Sequence, residues 1–267
     1  MSHLFSPKYL SALFVLLWAV GLAQTYLTHS TFLSQHPFNF VWILLSGLLA
    51  GSWVLASHAK PLMAPFLSAL GYGVAACMLG FAIQGPINSS ILANSPATLL
   101  TYSWLGLGAA VCQALGKALL LAILMWQCRP ASTRSILSVG MGVGLGFAMM
   151  EDFVIGQMTI EKAAAISPPA LGSLLERFSA GGFHVYSSVL IAISWLMRRP
   201  LWFILVLALH TVADTFAGAT DARVLELPSF AMQSIVLGTA LATWVAHRFA
   251  LIRLDESTES SFRKKPS

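Results

Sequence analysis

Eight ionisable side chains sit inside stretches of this sequence that are otherwise apolar: Lys117, Glu151, Asp152, Glu176, Arg177, His184, His210 and Asp214. A charge at the centre of a helix in hydrocarbon costs on the order of 2.5–3.5 kcal/mol, so such residues must face a protein interior or a water-filled cavity. Their spacing groups them. His210 and Asp214 are four apart in LALHTVADTF and share one helical face. Arg177 and His184 are seven apart in ERFSAGGFHV, two turns along one face, with Glu176 on a neighbouring face. Glu151 and Asp152 close the run GLGFAMMEDF and point about 100° apart around a helix. Glu151 is the expected inward-facing group, and Asp152 a supporting or boundary residue.

The chemistry open to such a set is narrow. Glu151, His184, His210 and Asp214 can activate a water molecule: the carboxylate acts as general base, one histidine orients the water and the other stabilises the oxyanion. The same four residues could instead bind a divalent metal such as zinc. Sequence leaves both routes open. No HExxH helix is present, which removes the usual zinc-protease pattern. Ser179 and Ser187 are nearby hydroxyls without a nucleophile motif. Gly140, Gly142, Gly144 and Gly146 alternate like a nucleotide loop, but no strand precedes them. Cys77, Cys112 and Cys128 show neither a CxxC pair nor metal-ligand spacing and read as small buried hydrophobes.

The elements that must carry these residues follow from composition. The 267 residues are 57% hydrophobic and 9% charged, against roughly 25% charged in a soluble domain. An all-α polytopic membrane bundle is the expected fold, because open strand edges cannot be satisfied in lipid. Eight apolar segments reach spanning length: about 8–28, 38–57, 62–84, 98–127, 135–156, 171–197, 200–218 and 228–252. Breaks fall at Lys60-Pro61, Gly85-Pro86-Ile87-Asn88, Arg129-Pro130, Ser167-Pro168-Pro169 and Arg199-Pro200, among others. Residues 1–254 form one membrane domain, with its site in 98–218. The polar tail 255–267 is expected to be disordered. The alternating glycines and Gly181-Gly182 should draw the fifth, sixth and seventh segments together.

With the N-terminus in the cytoplasm, eleven Lys and Arg residues fall on the inner side and two, Lys162 and Arg223, on the outer side. This positive-inside bias sets the orientation and puts both termini in the cytoplasm. The excess of Lys and Arg is thus a topology signal rather than a nucleic-acid footprint, and the bilayer is the expected surrounding. Cleavage after Ala23 as a signal peptide is an alternative for the first segment. Counted from the cytoplasmic ends, His210 lies roughly 14 Å deep, Asp214 and His184 roughly 20 Å, and Glu151 roughly 23 Å. Glu176 and Arg177 are expected higher, toward the outer face.

Read in order, GLGFAMMED, ERFSAGGFH and ALHTVAD resemble the YhfC family of intramembrane proteases, relatives of PrsW and of the CAAX prenyl protease and bacteriocin-processing proteins. Its pattern is a GxGFGxxE-type helix, an ERxxxxxxH helix and an HxxxD helix. Glu151 matches the first, Glu176, Arg177 and His184 the second, and His210 and Asp214 the third. The resemblance covers about residues 98–218. It implies a peptidase of the bacterial inner membrane acting on membrane-embedded or lipid-linked peptides. One departure stands out. The family's EExxxR motif in the preceding helix corresponds to Gln113-Ala114-Leu115-Gly116-Lys117, so glutamine replaces the glutamate thought to activate water. Either Glu151 is the base here, or the chain is a catalytically silent scaffold or chaperone for membrane proteins. A small proton-coupled transporter using Glu151, His184 and Asp214 is a third reading.

Overall fold

The computed structural model describes residues 16, 47–55, 57, 61–128, 132–162 and 171–263. Every regular element among them is helical. A short helix, α1, covers residues 47–55. Six long ones follow: α2 (Met63–Asn94), α3 (Leu99–Cys128), α4 (Thr133–Lys162), α5 (Leu171–Leu196), α6 (Leu201–Asp221) and α7 (Ser229–Arg263). All six long helices are long and apolar enough to cross a membrane. Large apolar side chains such as Trp104, Trp126, Leu201 and Phe249 are exposed on the outside of the bundle. Such a surface suits lipid rather than water. The first expected segment, 8–28, apart from residue 16, and half of the second, 38–57, lie outside the described residues.

Local chemistry explains where these helices begin and end. Thr98 and Ser132 cap α3 and α4: their hydroxyls accept from the backbone N–H groups of Thr101 and Ser135, each at 3.2 Å. α5 and α6 both close with an arginine in the left-handed region, Arg198 (φ 53) and Arg223 (φ 56). The paired bonds of a Schellman motif surround each one. Arg199 N–H reaches Ser194 O and Val224 N–H reaches Ala219 O, while Arg198 and Arg223 N–H reach Trp195 O and Thr220 O.

Two boundaries differ from expectation. α2 does not stop at Gly85-Pro86 but runs through Pro86 to Asn94. Proline clashes with the Cβ of the residue before it, and Gly85 has none; space around it is open, with no neighbouring atom within 4 Å. α7 likewise continues past Leu254 to Arg263, through residues whose polar composition suggested a disordered tail. Polarity alone does not end a helix already begun, and no Gly or Pro interrupts 255–263.

The long helices close into a ring. Contacts run from α2 to α3, α6, α7, α5, α4 and back to α2, with α5 also touching α3 and α6 across the middle. α5 is the central post: 83% of its spanning window is buried, against 17% for α6. The alternating glycines of α4 form two seams. Gly142 and Gly146 lie against the backbone oxygens of Phe66 and Leu70 in α2. Gly140 and Gly144 lie against Val189, His184 and Val185 in α5. A Cβ at any of the four would collide with the facing helix. The first seam was expected to gather the fifth to seventh segments and instead binds α2. Gly181 and Gly182 receive Ala50 and Trp53 of α1. The second α4 seam sets the backbone of His184 directly against Gly144, two turns from Glu151.

Candidate active site

Four helices of the ring turn ionisable side chains toward one another. α3 supplies Lys117, α4 Glu151 and Asp152, α5 Glu176, Arg177 and His184, and α6 His210 and Asp214. Lys117, Asp152, His184 and His210 are all at most 3% exposed.

The centre of the group is a chain of contacts. Lys117 Nζ lies 2.7 Å from His184 Nδ1, and His184 Nε2 lies 2.8 Å from Glu151 Oε2. Arg177 Nη1 reaches the same Oε2 at 3.3 Å. Arg177 also pairs with Asp152 Oδ1 at 3.6 Å and Glu176 Oε1 at 2.7 Å. An ammonium can only donate, so these partners assign the tautomer of His184: Nδ1 accepts from Lys117 and Nε2–H donates to Glu151. Lys117 Nζ also sits 4.2 Å above the centre of the Phe147 ring and donates to Ser187 Oγ at 3.3 Å. The buried lysine is thereby held by a ring face, a hydroxyl and a ring nitrogen, which offset its desolvation.

His210 and Asp214 are arranged differently. His210 Nε2 lies 3.4 Å from Asp214 Oδ2. His210 Nδ1 has no hydrogen-bond partner among the described residues. The two histidine rings meet edge to face with centroids 5.6 Å apart, and Phe183 packs on His210 at 4.9 Å. Asp214 retains 32% exposure of its side chain. Both face a cavity of about 330 Å³ that Glu151, Glu176, Arg177, Phe183, His184 and Asp221 also line. Val236 and Thr239 of α7 complete its wall. The cavity was expected among the segments that became α3 to α6; α7 takes the place of α3, and Lys117 lies behind His184.

Most of the residues anticipated from the sequence are brought together. Arg177 makes a contact that the depth count did not specify. It was expected higher than Glu151, toward the outer face, and the two are in direct contact. α4 and α5 run antiparallel, and the two long side chains bridge the difference of about one turn, or 5.4 Å. Asp152 is not a boundary residue but is buried and paired with Arg177. Gln113 is not part of the cavity lining; its Nε2 donates to Gln84 Oε1 on α2 at 3.2 Å. Ser179 and Ser187 are fully buried and donate to carbonyls of their own helix, which leaves neither as a nucleophile. Phe183, Phe147 and Asp221 were not anticipated. Asp221 follows Asp214 by seven residues, a spacing that signals a shared face, whereas nothing in the sequence singles out either phenylalanine.

The donor set does not fit a metal ion. Both nitrogens of His184 are engaged, by Lys117 and Glu151, and an ammonium 2.7 Å from one of them repels a cation. Among the described residues no three His, Cys, Asp or Glu side chains are grouped to hold a metal. The remaining chemistry is that of a carboxylate, a histidine and a guanidinium facing one cavity. Comparison of the chain with protein-family models, curated proteins and solved structures finds no match.

Proposed function

We propose that the chain is a membrane-embedded peptidase in which Glu151 activates water for attack on a peptide carbonyl. The observation that carries this reading is the division of labour at Glu151. Both of its polar contacts among the described residues, from His184 and Arg177, fall on Oε2, and the residue lines the cavity. Oε1 is therefore the oxygen available to a water molecule. In the proposed step Oε1 takes a proton from water, the water oxygen bonds to the carbonyl carbon, and Glu151 returns the proton to the departing amine as the C–N bond breaks. Arg177 supplies N–H donors to the developing oxyanion. His184 is a positioning residue that holds the carboxylate. His210, with Nε2 3.4 Å from Asp214, lines the same cavity beside the base.

The charge asymmetry of the sequence puts the α4–α5 end of the bundle on the outer face. The cavity, with Asp221 and Glu176 in its wall, then opens outward, and substrates would be peptides in or attached to the outer half of the bilayer of a bacterial inner membrane. A second reading, a silent scaffold for membrane helices, draws support from the same Oε2. A carboxylate held by a histidine N–H and paired with a guanidinium can serve as a structural ion pair instead of a base.

The two readings separate in cells. Peptide termini in membranes would be profiled with the wild type and with Glu151→Gln expressed to equal levels. The peptidase reading expects new termini in or beside membrane segments with the wild type alone. Identical termini in both strains would leave the scaffold reading.

A further inference from the structure

We infer that Lys117 is a positioning residue for Glu151, acting through the His184 ring from outside the cavity. The inference rests on the reading of Glu151 as the base, but its first observable is the protonation of a ring and not cleavage. Lys117 is 1% exposed and is not among the residues that line the cavity. An ionisable group so deeply buried on a membrane helix marks a function. Its place in a line of three groups supplies one. Lys117 Nζ lies 2.7 Å from His184 Nδ1, and Glu151 Oε2 lies 2.8 Å from Nε2 of the same ring.

Two arrangements of the same protons satisfy these distances. In one, an ammonium donates to Nδ1 and Nε2–H donates to a carboxylate. In the other, Nδ1–H donates to a neutral amine and a carboxylic acid donates to Nε2. The groups at the two ends decide between them. Ser187 Oγ, 3.3 Å from Nζ, donates its own proton to the His184 carbonyl at 3.1 Å and so accepts from the lysine. The Phe147 ring, centred 4.2 Å from Nζ, attracts a cation with its face. With His184 Nδ1 these make three acceptors, which match the three N–H groups of an ammonium. At the other end, Arg177 Nη1 donates to the same Oε2 at 3.3 Å and favours the carboxylate. Turning the ring over would place carbon atoms in both contacts. Phe147, Phe183 and His210 pack around it with centroids 4.7, 5.6 and 5.6 Å away. The ring is thus a neutral spacer protonated on Nε2, and Lys117 keeps it so by holding a donor against Nδ1.

The consequence falls on the base. A neutral ring fixes Oε2 with one hydrogen bond and leaves Oε1 to water. In Lys117→Met, the donor and the positive charge that oppose a second proton on Nδ1 are both gone. The ring then takes up that proton and becomes an imidazolium. Glu151 would lie between two cations, this ring and Arg177, and a carboxylate so paired takes a proton from water less readily.

The test uses the full-length protein labelled with nitrogen-15 histidine in phosphatidylcholine nanodiscs, with His184 assigned by difference from His184→Gln. The wild type is expected to show Nε2 protonated and Nδ1 unprotonated. A protonated Nδ1 in the wild type would overturn the inference without any variant. Lys117→Met is expected to carry a proton on Nδ1. Expressed in cells to the wild-type folded level, it should form new peptide termini in membranes at least about tenfold more slowly, a part of the roughly 10²–10⁴-fold that a general base contributes. A lysine that only supports the fold would leave the ring's protons as they are, so an unchanged ring in Lys117→Met would overturn the inference. Termini formed at the wild-type rate despite a protonated Nδ1 would overturn the positioning role and spare the peptidase. A wild type with the expected ring and no new termini would overturn the peptidase, and the positioning role with it, while the ring assignment stands.

Discussion

The polar interior has two halves built on opposite principles. In one, Lys117, His184, Glu151, Arg177, Asp152 and Glu176 form a continuous chain of ion pairs and hydrogen bonds. In the other, His210 and Asp214 share one long contact, and a ring nitrogen is left without a partner. The paired half is carried on α3, α4 and the central α5, the open half on α6, which has the least buried spanning window. A paired charge cluster inside a membrane fixes the helices that bear it, because losing one partner strands the others. A histidine held on one side only is free to take up a ligand on the other. The first half therefore fixes the architecture while presenting Glu151 and Arg177 to the cavity, and the second adds His210 and Asp214 to the same wall.

Substitutions can break this contrast. The largest effect is expected for Arg177→Met, which leaves Glu151, Asp152 and Glu176 without their shared cation. Removing one partner of a buried ion pair costs about 3–5 kcal/mol, and unfolding in graded denaturing detergent would show it; a cost below about 1 kcal/mol would break the division. Gly146→Val presses a branched side chain onto the Leu70 carbonyl in α2, an overpacking cost of about 1–3 kcal/mol measurable in the same way. Lys117→Met removes the donor to His184 Nδ1, and an unsatisfied buried acceptor costs about 1–3 kcal/mol. A double-mutant cycle with His184→Phe should return a coupling of about 1 kcal/mol or more; additivity would separate Lys117 from the chain. Gln113→Glu is expected to give no gain in cleavage, since Gln113 faces Gln84 and not the cavity. Increased cleavage would bring that position into the mechanism.

The sequence made the membrane-helix character legible, because hydropathy and length alone decide it, and α3, α5 and α6 begin and end within a few residues of the expected positions. Glu151, His184, His210 and Asp214 were legible as a set because each is too costly in lipid to be incidental. Three features were not. The glycine spacing in α4 says that a helix approaches closely but not which one, so α2 was missed as the partner of Gly142 and Gly146. Depth counted along a helix axis ignores side-chain reach, so the contact between Arg177 and Glu151 was not specified. Gln113 and Lys117 are four apart on one face of α3, yet they diverge to Gln84 and His184, because a face this wide touches two neighbours at once.

The claim that the open half takes part in the chemistry set up at Glu151 is tested most directly by His210→Phe, with Tm and new peptide termini in membranes measured on the same preparation. Phe fills a similar volume beside Phe183 and removes both ring nitrogens of His210. The expected result is a Tm within about 3 °C of wild type, for a stability change under about 1 kcal/mol, together with loss of the new termini. Termini produced at the wild-type level by a folded His210→Phe protein would contradict the assignment of function to this half of the site.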